Sequence, residues 1–195
     1  MKLKKFLVSI FIITLIVILI SVSYKYFYLK FQKQLYPLPE EYLSCIEKYS
    51  EEYNIPKELI CGIIHTESSF NPNARSNAGA LGIMQITEET FIWLQFKMGV
   101  QNQYSVEQLF DYQTNIKFGT YFISLLFDEF KNYDTALAAY NAGRGNVLKW
   151  LKDPDISSEG TLINIPFEET SNYIIKVNKA KDKYTELYFS DNVAE

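Results

Sequence analysis

The sequence has few of the residues that bind soft metals or cross-link a chain. Its 195 residues include two cysteines and one histidine, too few for the nitrogen and sulfur ligand sets of zinc or iron–sulfur sites. Eight glycines and six prolines are also far fewer than low-complexity or collagen-like chains contain. We therefore expect no metal and no cofactor, and we exclude a fibrous repeat and a disulfide-dense mini-protein.

Acidic residues are absent from the N-terminal part of the chain. Residues 1–33 contain six lysines and no Asp or Glu, which leaves 13 basic and 23 acidic residues for the remainder. Binding to phosphate backbones needs a concentrated basic surface, so the sequence argues against nucleic acid as a partner. The remainder, roughly 160 residues, is long enough for one domain with its own core.

One long run lacks charge altogether. Residues 6–24 read FLVSIFIITLIVILISVSY, which as a helix would span about 28 Å, close to the hydrocarbon thickness of a bilayer. Aromatic residues follow the run, as in an interfacial belt, and no A-x-A-like cleavage site follows it. We predict a single-pass membrane anchor that is not cleaved. A cleaved signal peptide is the alternative.

The anchor prediction divides the chain. Residues 1–5 would be a short cytoplasmic N-terminus, and residues 25–39 a juxtamembrane stalk that ends with two prolines. A short N-terminus before one span favours an extracytoplasmic position for everything after it. The globular domain is predicted over residues 40–188, followed by a C-terminal tail at residues 189–195.

The globular part has helical periodicity. Residues 71–82 have the composition of a loop, and no segment alternates convincingly between apolar and polar residues as a strand would. Helices are predicted over residues 40–53, 56–68, 87–98, 113–131, 134–141, 146–152 and 168–184. The fold class predicted from this pattern is all-α.

Glu67 lies at the end of the second predicted helix of this domain. It continues the apolar stripe formed by residues 59–64, so its carboxyl should lie at the edge of the core. Desolvation there raises a carboxyl pKa, and a carboxyl that stays protonated near neutral pH can act as a general acid. The alternative is an ordinary polar residue at a helix end. The next acidic residue is Glu88, whereas a two-carboxylate hydrolase needs a second acid close by.

Four blocks resemble, in order, those of soluble-lytic-transglycosylase-type domains, which cleave peptidoglycan. They are ESSFNP at residues 67–72, GALGIMQI at 79–86, AYNAG at 139–143, and IPFEET at 165–170 followed by Tyr173. The resemblance implies the lysozyme-like helical fold of goose-type lysozymes and lytic transglycosylases. The sequence departs from the family pattern where Thr87 and Glu88 replace Met-Pro, and where Ser171 replaces Arg, which puts details of the sugar subsites in doubt.

The resemblance further implies a reaction. Glu67 would be the only catalytic acid/base, and it would protonate the β-1,4 glycosidic oxygen between N-acetylmuramic acid and N-acetylglucosamine. It would then take a proton from the muramyl C6 hydroxyl, which attacks C1 and leaves a 1,6-anhydromuramyl end. Two alternatives remain: a muramidase of the same fold that hydrolyses the bond, and a non-catalytic wall-binding scaffold. A protein partner from the cell wall or a secretion machine is not identified.

Glycan-binding roles are implied at seven further positions, which are Ser76, Met84, Gln85, Tyr140, Asn141, Glu169 and Tyr173. Several of these residue types have plainer roles. Ser76 could cap its own loop, and Met84 could be a core side chain. Asn141 could end a helix, and Glu169 could belong to a solvated surface. His65 falls on a different helix face from Glu67 and is predicted to be a wall or surface residue.

The two cysteines, Cys45 and Cys61, fall on consecutive predicted helices joined by a short turn. An extracytoplasmic location would permit a disulfide between them. They also fit as small buried apolar residues, which is the interpretation we favour.

Overall fold

The structure, a computed structural model, describes residues 2–190 and divides the chain into two units between Pro37 and Leu38. The first unit is one helix, α1 (Lys2–Leu35), long and apolar enough by length and composition to cross a membrane. The helix continues past the apolar run into residues 25–35, which the sequence assigned to a stalk. No Gly or Pro interrupts it before Pro37, so nothing breaks its hydrogen bonding.

As far as residue 190, the second unit is a bundle of seven α-helices, as the all-α prediction requires. Their bounds agree with the predicted segments to within two residues at each end. They are α2 (Glu40–Tyr53), α3 (Lys57–Ser68), α4 (Glu88–Lys97), α5 (Tyr112–Phe130), α6 (Tyr133–Ala142), α7 (Arg144–Trp150) and α8 (Glu168–Tyr184).

Side-chain caps begin helices α4 and α5. Thr87 Oγ1 accepts a hydrogen bond from the backbone N–H of Thr90 at 3.3 Å, and Asp111 Oδ2 accepts one from Thr114 at 2.9 Å. Each cap satisfies a backbone donor that the first turn of a helix leaves without an intrahelical partner. The starts of α4 and α5 are therefore set by local chemistry.

Short elements that the sequence did not reveal lie between the helices. Two hairpins have strands of two residues each, β1 (Ala80–Leu81) with β2 (Ile86–Thr87), and β3 (Ser157–Ser158) with β4 (Thr161–Leu162). A 3₁₀ helix covers Val106–Phe110, and a π-helical turn at Thr185–Phe189 extends α8. Strands of two residues are too short to show an alternating pattern. Of the predicted tail, residues 191–195 lie outside the described part.

Helix α3 lies in the centre of the bundle and packs closely against α8. Residues 59–64 of α3 are all buried. A Cβ atom added to Gly62 would lie 2.8 Å from the backbone oxygen of Val177, so only glycine permits this approach. The close contact brings the first half of α8, including Tyr173, to the end of α3 that carries Glu67.

A separate apolar cluster supports the first hairpin. Residues from the hairpin, α4, the 3₁₀ helix and α5 form its buried part, and they are Leu81, Ile86, Phe91, Leu94, Leu109 and Phe118. Within it the ring of Phe118 packs edge-on against Phe91, with 4.7 Å between centroids. The hairpin therefore lies on a rigid aromatic base.

The cysteines follow the second of the two possibilities left by the sequence. Cys45 and Cys61 are both buried free thiols. Burial raises the pKa of Cys45 to about 11 and that of Cys61 further still. Both side chains stay protonated at neutral pH and act as small apolar residues of the core.

Candidate active site

Glu67 lies in the last turn of α3, directly before the helix ends at Ser69 with a positive φ of 51°. Its side chain is partly exposed, yet desolvation by the surrounding core raises its pKa from the usual 4.5 to about 7. The hydroxyl of Tyr173 opposes part of this rise, because it stabilises the ionised carboxylate. The raised Glu67 pKa that the apolar stripe of α3 predicts is therefore confirmed.

Two tyrosines lie close enough to this carboxyl for its charge to act on them. Burial raises the pKa of both Tyr140 and Tyr173 well above 10, and the charge of Glu67 raises both further. The Tyr173 hydroxyl is buried and makes no regular hydrogen bond within residues 2–190, so its interaction with Glu67 is looser than a short hydrogen bond. A buried hydroxyl in this state retains the capacity to bind a water or a substrate oxygen beside Glu67.

No second carboxylate contributes to this environment within the described part of the chain. The pKa of Glu67 responds to burial and to Tyr173, and not to another acidic residue. Nor do three or more His, Cys, Asp or Glu side chains come together as metal ligands anywhere in residues 2–190. The centre therefore consists of one carboxyl between two phenol groups.

Side-chain hydrogen bonds join the first block to the second and the second to the third. Ser68 Oγ, next to Glu67, donates to the carbonyl of Ile83 at 2.7 Å. Tyr140 Oη donates to the carbonyl of Met84 at 2.8 Å. The loop at residues 82–86 is therefore attached both to the end of α3 and to the tyrosine that faces Glu67.

The fourth block is joined to the third and to Glu67. Thr170 Oγ1 donates to Asn141 Oδ1 at 2.8 Å, and Tyr173, on the next turn of α8, faces Glu67. Side-chain hydrogen bonds, two of them to backbone carbonyls, and the interaction of Tyr173 with Glu67 thus connect all four blocks around one carboxyl.

Asn115 is a site-forming residue that the sequence reasoning missed. It is fully buried on α5, where its Oδ1 accepts from the N–H of Met84 at 2.8 Å. Its Nδ2 donates to the carbonyls of Leu81 and Leu109 at 2.9 and 2.7 Å. The available signal was an amide within the apolar stripe of a long helix, where a buried polar group requires partners.

Met84 does not line a groove with its side chain. It is 0% exposed, and it packs so closely on α5 that a Cβ on Gly119 would lie 2.4 Å from its sulfur atom. This placement does not fit the expected contact with a glycan and agrees with the alternative of a core methionine. Met84 takes part in the site through its backbone N–H and carbonyl.

Gln85 and Ser76 hold the loop in front of Glu67. Gln85 has a left-handed φ of 52°, an uncommon conformation for a residue with a side chain. Its amide nitrogen donates to the carbonyls of Ala74 and Gly82. Ser76 Oγ accepts from the N–H of Ala80 at 3.0 Å, which is the loop-capping role. The side-chain oxygen of Gln85 and the hydroxyl proton of Ser76 make no hydrogen bond within residues 2–190, so both can bind a ligand.

The remaining candidates are placed less directly. Glu169 is exposed in the first turn of α8 and makes no hydrogen bond or ion pair within the described residues, as on a solvated surface. His65 is half-buried, and its Nδ1 lies 3.2 Å from Tyr184 Oη. Burial lowers the His65 pKa, and His65 is not among the groups that shift the Glu67 pKa.

Comparisons with known proteins agree with this geometry. Residues 44–162 match the family described as Transglycosylase SLT domain. Proteins named membrane-bound lytic murein transglycosylase C are similar to this chain. The Pectobacterium atrosepticum protein is 35% identical over 74% of this chain and 46% of its own length, and that of Histophilus somni is 34% identical over 78% and 48%. The chain thus spans about half the length of these relatives.

Solved structures share the fold. The 70 kDa soluble lytic transglycosylase of Escherichia coli matches with a TM-score of 0.70 and 30% identity over 80% of this chain and 25% of that one. A complex of the 70 kDa soluble lytic transglycosylase with bulgecin A matches with a TM-score of 0.73 and 30% identity, over 82% and 26%. A Pseudomonas aeruginosa lytic transglycosylase, solved as an inactive glutamate-to-glutamine mutant, matches with a TM-score of 0.68 and 28% identity over 82% of this chain and 26% of that one.

The raised pKa of Glu67 predicts how folding stability depends on pH. The folded state holds the proton with a pKa of about 7 and the unfolded chain near 4.5, so stability is lost as pH rises between these values. We expect Glu67→Gln to be more stable than the parent protein at pH 8, by up to about 3 kcal/mol, and the difference to shrink at pH 5. Chemical denaturation of the full chain in mild detergent measures both values.

Glu169→Gln is the matched control, because it removes one negative charge at an exposed position of the same unit. Its stability relative to the parent should change little between the two pH values. A Glu67→Gln variant that is less stable than the parent at pH 8 would show that the carboxylate is a structural hydrogen-bond acceptor.

Proposed function

We propose that this chain, which belongs to the transglycosylase SLT family, is a membrane-anchored lytic transglycosylase that cleaves the glycan strands of peptidoglycan. The observation that carries the proposal is Glu67, whose carboxyl has a pKa of about 7. Such a group is half protonated near neutral pH, where it can both donate and accept a proton.

The reaction needs one acid/base group and two steps. Protonated Glu67 donates its proton to the glycosidic oxygen between N-acetylmuramic acid and N-acetylglucosamine, and the C1–O bond breaks while the substrate acetamide stabilises the positive charge. The Glu67 carboxylate then accepts the proton of the muramyl C6 hydroxyl as that oxygen bonds to C1. The products are a 1,6-anhydromuramyl end and a free N-acetylglucosamine hydroxyl, and Glu67 is protonated again.

The surrounding residues have separate tasks in this proposal. Tyr140 and Tyr173 hold the Glu67 carboxyl in a desolvated position, and Tyr173 limits the rise of its pKa. The side-chain oxygen of Gln85 and the hydroxyl of Ser76 bind amide and hydroxyl groups of the sugar. The Asn141 side-chain nitrogen does the same, because Thr170 binds only the Asn141 side-chain oxygen. The family resemblance alone supports direct contacts of Glu169 and Tyr173 with the sugar.

Two features favour this reaction over the alternatives. A muramidase must activate water, usually with a second carboxylate, and none influences Glu67 among the described residues. A scaffold that only binds the wall has no use for a desolvated carboxyl, which lowers folding stability at neutral pH.

Substitution of Glu67 tests the activity. We expect Glu67→Gln to reduce cleavage of purified peptidoglycan by at least about 10³-fold, because glutamine keeps the shape but cannot transfer the proton. Mass spectrometry of the parent digest should find muramyl ends lighter by one water than reducing ends. Reducing ends alone would identify a muramidase, and substantial turnover by Glu67→Gln would remove Glu67 from the mechanism.

The pH dependence tests the role of Tyr173. Activity should fall as pH rises through about 7, because the protonated form of Glu67 starts the reaction. Tyr173→Phe removes a hydroxyl that lowers the Glu67 pKa, so the alkaline limb of kcat/KM should move to higher pH. Tyr140→Phe is the control, because it keeps the ring that buries Glu67 and removes a hydroxyl that donates to the Met84 carbonyl and does not lower the Glu67 pKa. A Tyr173→Phe profile that coincides with the parent profile would exclude this role.

Membrane attachment is proposed for α1. Its length and composition suit a span, and the similar proteins are named membrane-bound. With α1 as the anchor, the catalytic unit would face the wall from outside the cytoplasm.

We expect the full chain to stay in the membrane fraction after a high-salt wash, because about twenty apolar residues span a bilayer. Externally added protease should reach the catalytic unit in spheroplasts, and a cytoplasmic protein should remain intact as the control. A mature N-terminus near residue 30, found by protein sequencing, would identify α1 as a signal peptide.

A further inference from the structure

The outer side of α4 is apolar and exposed, and the proposed reaction does not use it. Ile92, Trp93 and Phe96 are 56%, 38% and 63% exposed. On the other side of the helix, Phe91 and Leu94 are fully buried in the core. An exposed tryptophan beside two large apolar side chains is typical of a binding surface rather than of a solvated helix.

Aromatic contacts connect Trp93 to the candidate active site. The Trp93 ring packs edge-on against Phe122 with 6.1 Å between centroids, and Phe122 lies 5.0 Å from the ring of Tyr140. The Trp93 ring is therefore within about 11 Å of the Tyr140 ring, whose hydroxyl faces Glu67. A short oligosaccharide spans such a distance.

Trp93 also forms one wall of a groove between α4, α5 and the start of α7. The groove encloses about 400 Å³, within the range of small-ligand sites. Its lining residues are Trp93, Lys97, Leu125, Leu126, Glu129 and Arg144. An aromatic and aliphatic floor with charged groups at the rim suits a pyranose, which has apolar faces and a hydroxyl-bearing edge.

The charged groups of the groove differ in how fully they are engaged. Arg144 is held by Glu129 through two hydrogen bonds of 2.6 Å, so its charge is balanced. The ammonium of Lys97 lies 5.6 Å from the centre of the Trp93 ring and forms no ion pair within residues 2–190. An exposed contact of this kind is weak, so Lys97 can turn to a carboxylate on the ligand.

We propose that this groove, with Trp93 as its stacking platform, is a distal saccharide site for the glycan strand that Glu67 cleaves. The inference rests on the proposed function. Glycan is favoured over lipid or protein as the occupant because the aromatic contacts continue from Tyr140. In addition, Arg144 directly follows the AYNAG block, so the groove and the Glu67 centre share the α6–α7 connection. Lys97 would bind a lactyl or stem-peptide carboxylate of the strand.

Binding of saccharides of two lengths tests the site. The protein is the full chain with Glu67→Gln in mild detergent, and the probes are a disaccharide and an octasaccharide of uncross-linked peptidoglycan with their stem peptides. Calorimetry gives the ratio of the two dissociation constants for each variant. Trp93→Ala should weaken octasaccharide binding about tenfold, as removal of an aromatic anchor does, and should abolish most of the advantage of the longer ligand.

Two further variants keep the test specific. Trp93→Phe should restore part of the length advantage, since it returns an aromatic face. Ile175→Ala is the control, because it truncates an exposed apolar residue on α8, and it should keep the parent ratio. Thermal unfolding of each variant checks that Trp93→Ala remains folded.

The outcomes separate this inference from the proposed function. A Trp93→Ala protein with the parent ratio would overturn the distal site while glycan binding and cleavage stand. Trp93→Ala could instead weaken binding to anionic lipid vesicles and leave the ratio of the two saccharide dissociation constants unchanged. In that case the α4 surface contacts membrane and the inference fails. Failure of the Glu67→Gln protein to bind either saccharide, together with no cleavage by the parent, would refute the proposed function itself.

Discussion

The backbone of Met84 is the point on which the site depends. Its N–H is bound by Asn115 and its carbonyl by Tyr140, two side chains from different helices. The loop turns sharply here, with positive φ angles at Gly82 and Gln85, so these buried peptide groups cannot pair within a helix or a longer sheet. Buried backbone groups without partners are costly. The loop is therefore stable only where both side chains reach it, and its position also fixes Tyr140 beside Glu67.

This arrangement explains why the carboxyl is tuned by burial rather than by charge. A second acid near Glu67 would also have raised its pKa, but the two groups would then have titrated as a coupled pair. Desolvation against Tyr140 and Tyr173 leaves a single group with a pKa of about 7, which suits a reaction in which one residue gives and then takes a proton. The folding stability that is lost when Glu67 ionises is a cost that active sites commonly carry.

The sequence predicted what depends on neighbouring residues and missed what depends on distant ones. Helix positions and the raised pKa of Glu67 follow from periodicity, which depends on residues within one helix. Asn115 binds Met84 across 31 positions, and Tyr140 binds it across 56. No periodic pattern predicts such pairs, so the sequence gives no role to Asn115. The glycan contact predicted for Met84 rests on the family resemblance alone, beside the alternative of a core side chain. The extension of α1 past residue 24 was missed for a different reason, since hydropathy ends there but helix propensity does not.

The four blocks that carry the family resemblance thus contain two kinds of residue. Ser68, Met84 and Thr170 hold backbone or side-chain groups of the site in place, and Glu67 faces the substrate position. When a chain shares these blocks with the family, the geometry around Glu67 is fixed, and so is the class of reaction. Contacts farther along the glycan are fixed less closely. Features that distinguish this chain from its relatives in the length or decoration of the strand it accepts are then expected outside the blocks. The exposed surface of α4, between the second and third blocks, meets that condition, because no hydrogen bond of the Glu67 centre depends on Trp93.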